Sequence, residues 1–187
     1  MSTPRIIHFI YPVTPKTRPW SAINHTAVML ARKHNPDFRI MMWLNAAPPK
    51  SNLEFDVLST TVAAGAVIST RDLPTMPNGS PIPYPQYASD VMRLEILNEY
   101  GGVYMDTDIL SLKGVNEDGD LLENSGRLFI SWESEKQISM CNALMIAEKN
   151  TPIIQVWLER ILDAMQSPVW AHGGVVLPVL LNREFPS

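Results

Sequence analysis

An α/β layer fold is predicted for this chain of 187 residues. Strand-like and helix-like patterns alternate along it, the strand-like runs are short and rich in β-branched or aromatic residues, and proline or glycine signals punctuate the elements. Residues 5–11 (RIIHFIY) form the first such run, a buried strand stopped by Pro12. Across residues 20–34 the apolar positions Ile23, Val28, Leu30 and Ala31 suit a helix. Asn35-Pro36-Asp37 ends it, because the residue before proline disfavours the helical region. Residues 38–44 (FRIMMWL) read as a second strand, 46–52 as a Pro-rich loop, 53–64 as a weakly patterned helix and 66–69 as a third short strand.

Residues 73–85 hold five prolines and Gly79, which excludes both helix and central strand and predicts a surface loop. Residues 87–100 (YASDVMRLEILNEY) then carry Val91, Leu94 and Leu97 on one face with Met92 and Ile96 beside it, and Gly101-Gly102 supplies a C-terminal stop. A very short strand, Val103-Tyr104-Met105, runs from there into Asp106-Thr107-Asp108. Downstream, residues 127–132 and 143–147 read as strands, and Thr151-Pro152 opens a helix to about Met165. The length suits one domain spanning 1–187, and there is no internal repeat, low-complexity tract or linker.

Composition narrows the function. With 45% hydrophobic and 18% charged residues and a net charge of -4, the chain offers no broad attraction to nucleic acid. No run approaches the ~18 apolar residues of a membrane span. The start, Met-Ser-Thr-Pro-Arg, lacks a signal-peptide pattern, so a soluble cytoplasmic protein is expected, with peripheral membrane association or export left open. The single Cys141 has no disulfide partner and reads as a small buried hydrophobe.

Chemistry concentrates around residues 89–108. If the short strand continues through Asp106 and Asp108, residues two apart project to one side, and both carboxylates meet at its C-terminal end. Hard oxygen ligands of this kind suit Mn²⁺ or Mg²⁺, which commonly take one or two protein carboxylates and complete their shell with water and phosphate oxygens. An Asp-x-Asp triplet alone is a common solvated turn. Here it is embedded between VYM and IL, where unneutralised carboxylates would suffer repulsion and desolvation. On the preceding helix Asp90 and Arg93 share a face, with Ser89 before them near the expected N-terminus. They form either an ordinary surface ion pair or a site for sugar hydroxyls and phosphate oxygens.

These residues also carry a resemblance. The run YASDVMRLEILNEYGGVYMDTDIL, with the frame Ser-Asp-x-x-Arg then Gly-Gly-x-Tyr-x-Asp-x-Asp, resembles the sugar-binding region of a glycosyltransferase family. That family includes yeast initiating α-mannosyltransferases, bacterial capsular sugar transferases and clostridial glucosylating toxins. PRIIHFIY resembles the family's first strand, and the resemblance extends to about Leu112. It implies a GT-A fold, a Rossmann-like nucleotide-sugar-binding α/β domain with a mixed, mostly parallel central sheet. It further implies metal-dependent transfer of a hexose with retention, from a UDP-sugar or GDP-mannose to a glycan or protein hydroxyl.

By position, the resemblance implies that Asp90 and Arg93 contact the donor sugar and that Asp108 binds the metal. Asp106 is implied to touch donor ribose or sugar and metal-bound water, and Tyr11 to stack on the base where the family often has Trp. Asn45 resembles a polar position near the donor, and Ser89 belongs to the same frame. His8 is family-typical but lies in an apolar strand, which favours a core histidine. The family's further contacts near the end of the domain have no clear counterpart beyond Trp170-Ala171-His172-Gly173-Gly174. His172 there is either a third metal ligand or a turn residue before the next helix. The chain reads as a minimal or C-terminally truncated member. A metal-dependent phosphohydrolase and a non-catalytic nucleotide-sugar-binding module are the competing readings.

Overall fold

The computed structural model describes residues 2–48, 56–117, 121–123, 126–167 and 172–185. Part of the expected loop at 46–52, the start of the helix expected from 53, and Trp170 with Ala171 lie outside these residues. In chain order the elements are β1 (Ile6–Ile10), α1 (Ala22–His34), β2 (Arg39–Leu44), α2 (Val57–Ala63), β3 (Val67–Thr70), α3 (Pro85–Tyr100) and β4 (Gly102–Met105). There follow β5 (Leu128–Trp132), β6 (Met140–Ala147), α4 (Pro152–Ala164), a π-helical turn (His172–Val176) and α5 (Leu177–Glu184). The six strands form one sheet in the order β3-β2-β1-β4-β6-β5. β3, β2, β1 and β4 run parallel, while β6 and β5 are antiparallel to their neighbours. The sheet is therefore mixed and mostly parallel.

Both faces of the sheet are covered, which is why its central strands read as continuous apolar runs. Alternate residues go to opposite cores. Ile7, Phe9, Ile40, Met42, Val103 and Met105 pack on the side of α1 and α2. Ile10, Met41, Trp43, Tyr104 and Met145 pack under α3, α4 and α5. After β1 the chain moves outward through α1 to β2, and after β3 it returns through α3 to the other side of β1. A crevice opens outside the C-terminal ends of β1 and β4, at the switch point where open α/β sheets take ligands.

The turn from α3 into β4 depends on its two glycines. Gly101 has φ +66°, and a Cβ there would lie 2.7 Å from the Lys149 amide nitrogen. Gly102 has φ +104°, and its Cβ would lie 2.6 Å from the Ile6 carbonyl. His8, fully buried on β1, braces this turn: its Nε2–H donates to the Gly101 carbonyl at 2.9 Å, and its Nδ1 accepts from Trp43 Nε1 at 3.1 Å. A carbonyl can only accept and an indole N–H can only donate, so the ring is the neutral Nε2–H tautomer. Burial pushes its pKa down to about 4. The expected core histidine thus positions the helix-to-strand turn.

Three details differ from expectation. Pro85, assigned to the loop, is the first residue of α3, where its missing N–H costs nothing. Ser89 consequently sits one turn inside the helix rather than at its start. Cys141 is only half-buried, beside the register shift between β5 and β6.

Candidate active site

The crevice is a cavity of about 620 Å³. α3 supplies Ser89, Asp90 and Arg93 to its wall, β4 and the following turn supply Tyr104, Asp106 and Asp108, and β6 supplies Asn142. Tyr11, Lys16, Arg18 and Asn24, from the segment after β1 and the start of α1, face them.

Arg93 is the centre of the arrangement. It is 5% exposed and Asp90 8%, so the pair is interior rather than an ion pair on a helix surface. Arg93 Nη2 lies 3.3 Å from Asp90 Oδ1, and Nη1 lies 3.2 Å from Asp106 Oδ1. Nη1 also donates to the Asn142 carbonyl oxygen at 2.8 Å and to Asn142 Oδ1 at 3.1 Å, while Nε donates to the Ser89 carbonyl at 3.2 Å. The guanidinium lies 4.5 Å from the centre of the Tyr104 ring. Burial alone would ease its proton off, but Asp106, Tyr104 and Asp90 outweigh this and hold Arg93 as a permanent cation.

The carboxylates are held differently from one another. Asp90 Oδ1 accepts from Asn142 Nδ2 at 2.8 Å. Burial raises its pKa, with Arg93 and Asn142 acting in the opposite sense. Gly174 lies against it so closely that a Cβ would come within 2.8 Å of Asp90 Oδ2, which explains a glycine at that position. Asp106 Oδ1 accepts a hydrogen bond from the Tyr104 hydroxyl, whose own pKa burial drives well upward, so the phenol keeps its proton and donates it. Asp108 is exposed on the cavity wall and makes no hydrogen bond or ion pair with any described residue.

Strand periodicity is not what brings the two aspartates of the triplet together. β4 ends at Met105, and Asp106-Thr107-Asp108 form a turn in which the Ile109 amide donates to the Asp106 carbonyl at 3.1 Å. Asp106 keeps the side of the sheet occupied by Tyr104, whereas Asp108 is carried outward by the turn. Asn24 fastens this turn to α1, its Nδ2 donating to the Thr107 carbonyl at 3.0 Å and to Thr107 Oγ1 at 3.1 Å.

The remaining candidates divide. Tyr11 lines the cavity, its hydroxyl donating to the Arg18 carbonyl at 3.0 Å and its ring edge-on to Trp20 at 5.2 Å. Asn45 stands outside the cavity wall. Its Oδ1 accepts from the Val13 amide at 2.6 Å and its Nδ2 donates to the Val13 carbonyl at 3.2 Å, so its amide is consumed in anchoring the segment after β1. His172 does not line the cavity either, and its Nδ1 is buried with no hydrogen-bond partner among the described residues. Among the described residues no cluster of three or more His, Cys, Asp or Glu side chains could hold a metal. The Asp106–Asp108 pair still fits a hard cation that draws its other ligands from water and phosphate, because among the described residues Asp108 is unpaired and Asp106 Oδ2 has no protein partner.

Tyr104, Asn142 and Asn24 are site residues that motif reading does not assign. Tyr104 stands within the Gly-Gly-x-Tyr-x-Asp-x-Asp frame. Asn142 is the lone amide in the apolar strand MCNALMIA, a buried polar group requiring partners. Asn24 has no signal in the sequence beyond its place near a helix start.

Comparison with known proteins agrees with this geometry. Residues 24–125, more than half of the chain, match the family described as "Glycosyltransferase sugar-binding region containing DXD motif". The chain belongs to this family. It is 24% identical over 200 residues to Glucan organizing enzyme 1 of Cryptococcus neoformans var. grubii serotype A, an alignment covering 100% of this chain and 51% of that protein. It is 27% identical over 96 residues to the Homo sapiens alpha-1,4-N-acetylglucosaminyltransferase, covering 51% of this chain and 24% of that protein. The chain thus spans about half, or less, of the length of these relatives. Among solved structures, the PaToxG glycosyltransferase superposes with a TM-score of 0.68 at 20% identity, covering 99% of this chain and 70% of that one. The UDP-bound glycosyltransferase domain from the YGT toxin superposes with a TM-score of 0.59 at 11% identity, covering 88% and 62%. The fold is that of GT-A type glycosyltransferase domains. No helix among the described residues is long and apolar enough to cross a membrane.

Proposed function

We propose that the chain transfers a hexose, with retention, from a nucleoside diphosphate donor (a UDP-sugar or GDP-mannose) to a hydroxyl of a glycan or protein. The observation that carries this reading is the buried Arg93, bound to Asp90 and Asp106 next to the exposed Asp108, which is unpaired among the described residues, in the crevice outside β1 and β4. Such an arrangement would set fixed charges against a bound sugar diphosphate. Tyr11 offers a ring to the base, Asp90 Oδ2 an acceptor for sugar hydroxyls, and Arg93 a preorganised cation for hydroxyl or phosphate oxygens. Asp108, with Asp106, would hold a Mn²⁺ or Mg²⁺ ion, which when bound supplies Lewis-acid stabilisation of the departing diphosphate.

The bond between the anomeric carbon and the phosphate oxygen breaks as the acceptor oxygen attacks from the same face, and the acceptor proton leaves on the diphosphate. Asp90 is the carboxylate best placed for an alternative double displacement. Its burial and its engagement with Asn142 and Arg93 favour a binding role.

The test is a screen of UDP- and GDP-sugars for turnover with Mn²⁺ or Mg²⁺, repeated on Asp108→Asn. Because Asp108 has no partner among the described residues, the variant should keep its stability to within about 0.5 kcal/mol yet lose turnover by ~100-fold or more. Its melting temperature should also fail to rise with Mn²⁺ plus UDP or GDP, where the wild type's does. Binding of a donor without any turnover would favour the non-catalytic module, and phosphate release without sugar transfer a phosphohydrolase. A fully active Asp108→Asn protein overturns the reading.

A further inference from the structure

A second cavity, of about 550 Å³, adjoins the crevice. Its walls come from the Pro-rich segment before α3, from Thr14-Pro15-Lys16 after β1, and from the first turn of α3. Lys16 and Pro85 line both cavities, and the partition between them is α3 itself: Ala88 faces the second cavity, while Ser89 and Asp90 face the crevice. At 1.5 Å rise per residue, Pro85 and Ser89 are separated by about 6 Å, one helical turn.

The two cavities differ in chemistry. The crevice is charged; the second trough is carbon-walled, with proline rings at 15, 74, 81, 83 and 85 and the side chains of Leu73 and Ile82. Among the described residues of its lining three side chains bear polar groups, Thr14, Lys16 and Thr75, and two of these are already engaged. Thr14 Oγ1 is 2.9 Å from Thr17 Oγ1, and Lys16 Nζ donates to the Pro83 carbonyl at 2.9 Å while lying 5.3 Å from the centre of the Tyr84 ring. A sugar placed here would find few partners for its hydroxyls, whereas an alkyl or aromatic group would lose water against carbon. The walls are also stiff, since proline fixes φ and the Lys16 contact ties the two loops together, so little conformational entropy is lost when a ligand enters. The volume lies in the range of pockets for small organic ligands.

We propose that this trough seats the apolar aglycone of a glycoside acceptor, an aryl or short alkyl group whose attached sugar reaches over Pro85 into the crevice. The proposal rests on the glycosyltransferase reading above and names the acceptor class for it. With the aglycone in the trough, the attached sugar spans the roughly 7.5 Å of helix rise from Pro85 to Asp90, which brings one of its hydroxyls to where the donor's anomeric carbon is to be met. The acceptor oxygen then forms the new bond to that carbon, the donor's bond to diphosphate breaks, and the acceptor proton departs with the diphosphate.

The experiment compares 4-nitrophenyl glycosides with the corresponding methyl glycosides, which share the sugar and lack the apolar group. Two readouts are taken: saturation-transfer NMR of the acceptor without donor, and kcat/KM for transfer with the donor found by the screen. Aryl protons should receive the strongest saturation, and kcat/KM should favour the aryl over the methyl series by at least ten-fold. Leu73→Asp, which puts a charge in the wall, should reduce that preference to within about two-fold and abolish the aryl signal. Thr75→Asp, at an exposed position that tolerates polar residues, should do the same and guards against misfolding of the first variant. Equal binding of the aryl and methyl series, or an aryl preference unchanged in folded Thr75→Asp, overturns the proposal. Aryl binding that responds to both substitutions in a protein that binds no nucleotide sugar supports the trough and refutes the donor reading instead, so the two failures are separable.

Discussion

Acidification should destabilise this protein through His8, in a window set by that residue alone. The imidazole is neutral in the folded state with a pKa of about 4, against 6.5 for a solvated histidine. Below pH 6.5 the unfolded chain takes up a proton that the native state refuses until about pH 4, so unfolding binds protons and stability falls with falling pH. A tenfold difference in proton affinity between the two states is worth about 1.4 kcal/mol. The contribution of His8 is then about 3 kcal/mol in full, of which about 2 kcal/mol is lost between pH 7 and 4.5. Above pH 6.5 the contribution is fully present, and below pH 4 no further loss arises from this group. The assay is urea denaturation from pH 4.5 to 7.5 on wild type and His8→Gln. Glutamine retains a neutral donor and acceptor for Gly101 and Trp43 but cannot titrate. Over that range the wild type should lose about 2 kcal/mol more than the variant, whatever the variant's absolute stability. Parallel profiles would mean that His8 is protonated at ordinary cost in the fold, and that burial does not hold its imidazole neutral.

Three other outcomes are expected. Gly102→Ala should cost more than about 2 kcal/mol by chemical denaturation, because the residue has positive φ and its Cβ would press on the Ile6 carbonyl. Arg93→Met should cost about 3–5 kcal/mol by leaving Asp90 and Asp106 without their cation, and Asp90→Asn added to it should recover part of that loss, a coupling visible only in the double-mutant cycle. Tyr11→Ala should weaken nucleotide binding by about 1–3 kcal/mol in a calorimetric titration, whereas Tyr11→Trp should preserve it.

Much of this is legible in the sequence because the residues involved leave periodic or stereochemical traces. The strands next to β1 announce themselves as unbroken apolar runs because both faces are covered, and Gly101-Gly102 marks a turn that no side chain could enter. Asp90 and Arg93 are legible as a pair but not as an interior pair, since the spacing of three is the same on a wet helix face and a dry one. What distinguishes them is Asn142, some fifty residues away, whose amide reaches both, and contact at that separation has no local signature. The shared placement of Asp106 and Asp108 on one crevice follows from the sequence only by extending a strand across what is a turn. That turn, held by Asn24, is what separates an oxygen engaged by Tyr104 and Arg93 from one left open to the crevice.

The separation has an electrostatic consequence for the proposed reaction. Among the described residues Arg93 is the one cation in contact with Asp90 and Asp106, and both carboxylates draw on it. Asp108 then adds a third negative charge to the same wall, with no partner among the described residues to offset it. A sugar diphosphate entering the crevice brings further negative charge. Lys16 is already committed to Pro83, which leaves Arg18 as the uncommitted basic residue on the facing wall among those described. At an effective dielectric of about 20, two unit charges 4 Å apart repel by roughly 4 kcal/mol, so a diphosphate set against Asp108 without compensation would be expelled rather than held. Asp108 and Asp106 would hold a divalent ion, whose charge would reverse the sign of that interaction. The site is therefore one in which donor and cation should bind with positive coupling: each should tighten the other, and by linkage to the same extent. Titration of UDP or GDP with and without Mn²⁺, and of Mn²⁺ with and without the nucleotide, should return equal ratios of dissociation constants, and Asp108→Asn should bring both ratios to about one. Tight nucleotide binding indifferent to the metal would place the diphosphate away from Asp108 and against Arg18 instead.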